Sequence, residues 1–397
     1  MYEQNAVAGF EALPLSPRTQ ARLKDLGFTT PTPIQSAAIP PALEGRDVIG
    51  LAQTGTGKTL AFGIPLRENL GATGRALILT PTRELAAQVE ETLRLLGLRS
   101  TLIVGGAAMG PQVRALRANP QLIVATPGRL MDHMQTTGLR LDGITAVVLD
   151  EADRMLDVGF APAVRKILSS VRKDRQTLLF SATLAANVAD LARDFLRDPV
   201  RVEIGVVGST ADTVEQELVV LNTDDRGEML RAVLADAGGS ALVFVRTRHG
   251  ARKIARAVSN MGHAAAELHS DRTLPQRRAA MAAFKSGEAT VLVATDIAAR
   301  GIDVQGVALV VNYDLPDAPE DYVHRIGRTG RAGLSGKSIT FASPEQAKDV
   351  AALEKTIGKA IPRSARSRAE MPAWPPRRQP HQGAGGPGSS AQRRRRR

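Results

Sequence analysis

The 397-residue sequence predicts an α/β protein of two tandem parallel-sheet domains joined by a short linker and followed by a disordered basic tail. Three observations carry that reading. Short runs rich in Val, Ile and Leu recur every 20–30 residues, helix-compatible stretches separate them, and the whole pattern occurs twice. Runs that are apolar throughout, rather than alternating with polar residues, belong to strands covered on both faces, as in sheets built from βαβ units.

The first set is DVIGLA (47–52), RALILT (75–80), TLIVGG (101–106), QLIVAT (121–126), TAVVLD (145–150) and QTLLFS (176–181). The second is ELVVL (217–221), ALVFV (241–245), VLVAT (291–295), ALVVNYD (308–314) and SITFAS (338–343). Between them lie amphipathic stretches such as ELAAQVEETLRLL (84–96), spaced for helices. The two sets part at GVVGSTADT (205–213), small, polar and glycine-containing. The expected layout is a first domain at 1–208, a linker at 209–212, a second domain at 213–362 and a tail at 363–397.

Charge separates the tail from the rest. Residues 363–397 hold ten Arg, five Pro, four Gly and four Ser, and no Leu, Ile, Val or Phe. Such a segment cannot bury enough apolar surface to offset its ordering entropy. It carries +9 of the net +12, leaving 42 basic and 39 acidic side chains in residues 1–362. A mobile basic segment ending in Arg393–Arg397 is expected to act as a non-specific tether for a polyanion.

Composition also excludes classes. With no cysteine there is no disulfide and no thiolate metal site, which fits a reducing cytoplasm. No apolar run approaches the roughly 18 residues of a membrane span, so no membrane partner is expected. The first residues lack the apolar core of a signal peptide. Aromatic residues are 3% of the chain, too few for base-stacking platforms.

Ala52-Gln53-Thr54-Gly55-Thr56-Gly57-Lys58-Thr59 follows an apolar run and precedes a helical stretch, which is the phosphate-loop pattern with Ala52 in place of the first Gly. Gly55 and Gly57 let backbone N–H groups approach phosphate oxygens, and the helix N-terminus adds its dipole. Thr54 and Thr56 lie in the same cradle. Lys58 is expected on the β- and γ-phosphates and the Thr59 hydroxyl on Mg²⁺. Asp150-Glu151-Ala152-Asp153 ends another run, where carboxylates point into the ligand crevice of a parallel sheet. Asp150 is expected to hold Mg²⁺, largely through water, and Glu151 to orient or deprotonate the attacking water. ATP and Mg²⁺ are therefore the expected cofactors.

With these strings in place the sequence resembles the DEAD-box RNA helicases of helicase superfamily 2, over about residues 10–343, and within them the short bacterial type with a basic C-terminal tail. The resemblance implies two RecA-like domains. It also implies that segment 10–36 reads adenine, with Phe28 stacking on the base, Gln35 bonding its edge and Phe10 the isolated upstream aromatic. Pro81, Thr82 and Arg83, then Gly105 and Gly106, then Thr126, Gly128 and Arg129 fall on its first-domain RNA motifs. Ser181-Ala182-Thr183 falls on the motif that couples hydrolysis to strand separation. In the second half, Val243-Phe244-Val245 matches a strand motif, Thr295 would touch RNA phosphate, and Gly301 and Asp303 would face the nucleotide. In His324-Arg325-Ile326-Gly327-Arg328-Thr329-Gly330-Arg331, Arg328 and Arg331 would be arginine fingers on the γ-phosphate. Leu274 departs from the family pattern, which has Gln there, and Ser270 replaces a common Gly.

The resemblance implies RNA-stimulated ATP hydrolysis coupled to local, non-processive unwinding by a cytoplasmic monomer in ribonucleoprotein or RNA-decay machinery. Two other readings stay open: an ATP-gated RNA clamp in a larger particle with little unwinding, and a DNA-directed translocase of the same superfamily.

Overall fold

The structure is a computed structural model that describes residues 9–53, 55–71, 73–204, 214–299, 306–330, 336–372 and 374. Its first sheet has seven strands: β1 (Val48–Leu51), β2 (Ala76–Leu79), β3 (Ser100–Ile103), β4 (Leu122–Ala125), β5 (Ala146–Leu149), β6 (Gln176–Ser181) and β7 (Val200–Glu203). They lie in the order β3-β4-β2-β5-β6-β1-β7, every pair parallel. The second sheet has six: β8 (Val214–Val220), β9 (Ala241–Phe244), β10 (Ala265–Leu268), β11 (Val291–Ala294), β12 (Leu309–Asn312) and β13 (Gly336–Ala342). Their order is β10-β11-β9-β12-β13-β8, again all parallel.

The unbroken apolar runs have the expected cause. In β2, Ala76 and Ile78 join the core on one face, while Leu77 and Leu79 join the core on the other. In β9, Ala241 and Val243 face one layer and Leu242 and Phe244 the opposite one. Helices cover both faces of each sheet, and each Leu or Ile buried this way contributes about 1.5–3 kcal/mol. Two strands escape a search for apolar runs. β7 reads VRVE and alternates buried with exposed residues at the sheet edge, and β10 reads AAEL, small and half-buried.

Part of the segment expected to be disordered is ordered. Residues 363–372 are not free chain but a strap along the outer edge of β8. Leu218 N donates to Pro362 O, Ser364 N to Leu218 O, and Arg368 N to Val220 O, each at 2.8 Å. Ala369 and Met371 pack on the core beneath. Arg363 pairs with Glu354, Arg366 with Asp236, and Arg368 with Glu228. Main-chain bonds to an open edge supply the order here, in place of branched apolar side chains. The expected linker at 209–212 and residues 375–397 lie outside the described residues.

Because all strands in a sheet are parallel, their C-terminal ends share one edge, and the loops there are where ligand groups gather. In the first sheet, β1, β6 and β5 end in the phosphate loop, the Ser-Ala-Thr string and the acidic pair. Neighbouring β2, β4 and β3 end in the Pro-Thr-Arg, Thr-Pro-Gly-Arg and Gly-Gly strings. Strand order thus divides one surface into two functional halves.

Candidate nucleotide and nucleic-acid site

Gly57 caps the helix Lys58–Asn69 with φ 91° and no side-chain cap, so the first N–H groups of that helix are left for an anion. A Cβ on Gly57 would meet Gln35 Nε2 at 2.3 Å. Gln35 is buried and its amide is already engaged. Its Nε2 donates to Gly57 O at 3.0 Å and its Oε1 accepts from Thr32 N at 2.9 Å. The residue expected to read adenine therefore first ties its helix to the phosphate loop, keeping one N–H and one lone pair for a base. Phe28 is exposed at 38%, whereas Phe10 is a core residue. Thr56 Oγ1 donates to Gln53 O at 2.7 Å, and Lys58 Nζ donates to Ala52 O at 2.9 Å across the loop. Gly55 has φ 84°, Thr59 is half-buried, and Thr54 lies outside the described residues.

Asp150 is 2% exposed, and its Oδ1 has no hydrogen-bond partner among the described residues. Burial pushes its carboxyl up to about 7; Lys58 pulls it down and Glu151 pushes it further up. A dry carboxylate with a spare oxygen, together with the Thr59 hydroxyl, is a hard-oxygen donor set that fits a partly hydrated Mg²⁺. No group of three or more His, Cys, Asp or Glu that could hold a metal occurs among the described residues.

Glu151 adopts φ 53°, a left-handed backbone rare for residues with a side chain and of the kind that collects at functional sites. Its Oε2 is 3.1 Å from Arg154 Nη1, both groups buried. Asp153 turns away to the neighbouring strand end. Its Oδ2 accepts from Ala182 N and Thr183 N, both at 3.0 Å, and its N–H donates to Ser181 Oγ. The last Asp of the acidic string is thus the bond between that string and Ser181-Ala182-Thr183.

On the other half of the surface, Pro81, Thr82, Arg83, Gly105, Thr126, Gly128 and Arg129 line one cleft of about 430 Å³. Its far wall belongs to the second domain, through Ser270 and Arg277. Gly106, with φ 77°, lies under Arg83, whose guanidinium would collide with any Cβ there. Arg129 lines the cleft and also braces it: its Nη2 donates to Ala107 O at 3.0 Å. Gln112 and His133 support the same loop from within. Gln112 Nε2 donates to Val104 O at 3.1 Å, and its Oε1 meets His133 Nε2 at 3.3 Å. Glu84 of the first domain and Arg277 of the second approach to 2.8 Å, both buried, and both line the cleft. Burial pushes the Glu84 carboxyl up, against the pull of Arg277.

In the second domain Thr295 is buried at the end of β11 and outside that cleft's lining. Arg328 is 2% exposed. Gly301, Asp303 and Arg331 lie outside the described residues. The arginine that organises this end is Arg325, to which the sequence assigned no role. It grips both carboxylate oxygens of Asp296 at 2.6 Å, donates to Asp314 O, and lies over the Phe244 ring. Helix Leu274–Ser286 starts at the departure from the family pattern and is capped by Thr273, with Gln276 completing the reciprocal pair.

A phosphate cradle beside a buried acidic pair on one half of a strand-end surface, and a cleft shared with a second domain on the other, define a nucleoside triphosphatase that works on nucleic acid. Comparison with known proteins narrows this. Residues 32–191 match the DEAD/DEAH box helicase family model and residues 225–333 the helicase conserved C-terminal domain. The chain belongs to the DEAD-box family of ATP-dependent RNA helicases, whose members hydrolyse ATP. Relatives include DEAD-box ATP-dependent RNA helicase 30 of Arabidopsis thaliana, 46% identical over 84% of this chain. The chain spans only 59% of that relative's length. ATP-dependent rRNA helicase RRP3 of Eremothecium gossypii is 43% identical, over 91% of this chain and 76% of its own. Among solved structures, S. cerevisiae Dbp5 bound to RNA and ADP BeF3 superposes with a TM-score of 0.80 at 32% identity, covering 90% of this chain and 96% of that one. No helix among the described residues is long and apolar enough to cross a membrane.

Proposed function

We propose that the protein couples RNA-stimulated ATP hydrolysis between its domains to local, non-processive unwinding or remodelling of short RNA duplexes. The observation that carries this is the cleft built jointly by the Pro-Thr-Arg, Gly-Gly and Thr-Pro-Gly-Arg loops of one domain and Ser270 and Arg277 of the other. A ligand there favours the paired arrangement of domains that brings Arg328 toward the phosphate loop, so RNA and ATP each tighten the other's binding. The superposition on a chain bound to RNA and ADP BeF3 supports that arrangement.

In this reading Phe28 and Gln35 hold the base, and Thr54–Thr59 the phosphates. Gly301 and Asp303 face the nucleotide, and Arg328 with Arg331 offset charge developing on the γ-phosphate, a contribution on the order of 10³–10⁵ in rate. Thr59 and Asp150 hold Mg²⁺, which when bound supplies positive charge against the phosphate oxygens. Glu151, fixed by Arg154, takes the proton of the attacking water. The cleft residues, with Gly106 and Thr295, grip RNA through backbone amides, hydroxyls and guanidinium groups rather than bases, so the recognition is of backbone. Asp153 carries the state of the acidic string to Ser181-Ala182-Thr183.

The domain limits 1–208 and 213–362 remain our division of the chain, the second extended by the strap. The layout of a core followed by an arginine-rich segment supports the short bacterial type, although the relatives named above are plant and fungal. The segment beyond residue 374 acts as an RNA tether. We place the protein as a cytoplasmic monomer in ribonucleoprotein machinery; the rRNA-helicase names of relatives support the ribonucleoprotein part of that reading. ATPase assays with matched RNA and DNA, and multiple-turnover unwinding of a short RNA duplex, test the proposal. Stimulation by RNA with turnover unwinding is expected. Stimulation by DNA alone would refute it, and single-round binding without unwinding would assign a clamp.

A further inference from the structure

A second hollow, of about 810 Å³, lies on the flank of the second domain. Helices Arg248–Asn260 and Leu274–Ser286 form its walls, and the edge strand β10 its floor. The walls present donors: Arg252 and Arg256 from one helix, Gln276 from the other, Arg272 from the loop before it, and Asn260 at the far end. One carboxylate, Glu267, faces them and pairs with Arg272. Asp271 at the mouth is shared by Arg248 at 2.7 Å and Arg252 at 3.7 Å. Four arginines against two carboxylates leave the groove positive, and Arg256 is exposed with no ion pair among the described residues. Arg252 and Arg256 sit about 6 Å apart along the helix axis, on one face.

The groove neighbours the interdomain cleft without sharing a lining residue with it. Only the loop at 269–273 and the first turn of the following helix separate them. Ser270 faces the cleft and Arg272 the groove, and likewise Arg277 faces the cleft while its neighbour Gln276 faces the groove. The apolar part of the lining is alanine, with no aromatic or large aliphatic side chain, so the groove offers no pocket for a protein anchor and no platform for a base. What it offers is guanidinium forks, which match phosphate oxygens.

We propose that this groove is a second phosphate-binding track that holds the part of an RNA strand running out of the cleft past Ser270. It rests on the cleft being the RNA site. The track lengthens the footprint on RNA without adding sequence preference, because it touches backbone only.

The test uses the full chain and the double variant Arg252→Gln/Arg256→Gln, with Arg256→Glu as a single surface change that leaves the Asp271 pair intact. Affinity is measured against salt for a short single-stranded RNA confined to the cleft and for the same RNA extended at either end. The double variant should bind the extended RNA with a salt slope shallower by about 1.4, two contacts at the single-strand value. Binding of the short RNA, and the ATPase it stimulates, should not change. Arg256→Glu should weaken the extended RNA selectively. An unchanged slope on the extended RNA, or equal losses on both, overturns the track. So does polyglutamate that competes for the groove while RNA affinity is unaffected, which would assign the groove to an acidic protein. If the short RNA fails to stimulate the wild-type ATPase, the cleft assignment fails instead, a result separable from the others.

Discussion

Asp150 carries a measurable stability cost. Its carboxyl, ordinarily near 3.8, sits at about 7 in the folded protein, chiefly because burial strips its water. The folded state therefore holds the proton more tightly than the unfolded chain. Stability is highest while the group is protonated in both states, falls as pH rises above the ordinary value, and bears the full cost above about pH 7. At about 1.4 kcal/mol per unit, the cost at pH 8 is on the order of 4 kcal/mol, of which roughly 3 accrues between about pH 5 and pH 8. Asp150→Asn keeps the shape and removes the charge. In urea unfolding the variant is expected to gain on the wild type as pH rises, by roughly 3 kcal/mol across that interval, while losing ATP hydrolysis. Adding MgCl₂ with a non-hydrolysable ATP analogue should narrow the gap, because those ligands stabilise only the wild-type site. Parallel pH profiles for the two proteins, with or without Mg²⁺, would refute the argument that a dry, orphaned carboxylate is held ready for a cation.

Other perturbations separate the remaining parts of the machine. Lys58→Ala should abolish ATP hydrolysis, and a steady-state phosphate-release assay that finds normal turnover would remove the phosphate loop from the mechanism. Glu151→Gln should trap ATP and RNA together, visible as slow RNA release in the presence of ATP; release at the wild-type rate counts against a water-activating role. Arg277→Gln leaves Glu84 buried without its partner, at a cost of about 3–5 kcal/mol to the paired domains. The RNA concentration for half-maximal ATPase should rise sharply and partly recover in Glu84→Gln/Arg277→Gln, whereas additive losses in that cycle would show that the two residues do not meet. Removing residues 375–397 takes away seven arginines. It should flatten the salt dependence of RNA binding while leaving ATPase intact at saturating RNA; an unchanged slope would refute the tether.

What could be read from sequence was local. Eleven strands announced themselves as apolar runs, most of them because both faces are buried. β7 and β10 did not, since one alternates at an edge and the other, AAEL, is small and carries a Glu. The phosphate loop and acidic string were legible because their chemistry is written in consecutive residues. The braces were not. Arg325 reaches back to Asp296, Gln112 and His133 hold a loop from inside the domain, and Glu84 finds Arg277 across the domain gap. No local pattern encodes a pairing between positions so far apart. Gln35 shows a subtler limit. The family resemblance gives its amide to the base, but the fold spends half of its bonding capacity on Gly57 and Thr32.

The strap at 363–372 bears on how the chain behaves in a test tube. β8 is the last strand of its sheet, and without the strap the outward N–H and C=O of Leu218 and the N–H and C=O of Val220 would face solvent as an unfilled template. Such a template recruits extended segments from other molecules. A truncation at residue 362 would therefore produce a self-associating protein whose weak RNA binding reports on lost solubility. A cut beyond Trp374 leaves the edge sealed. The boundary that looks natural by composition is the one that would make the protein stick to itself.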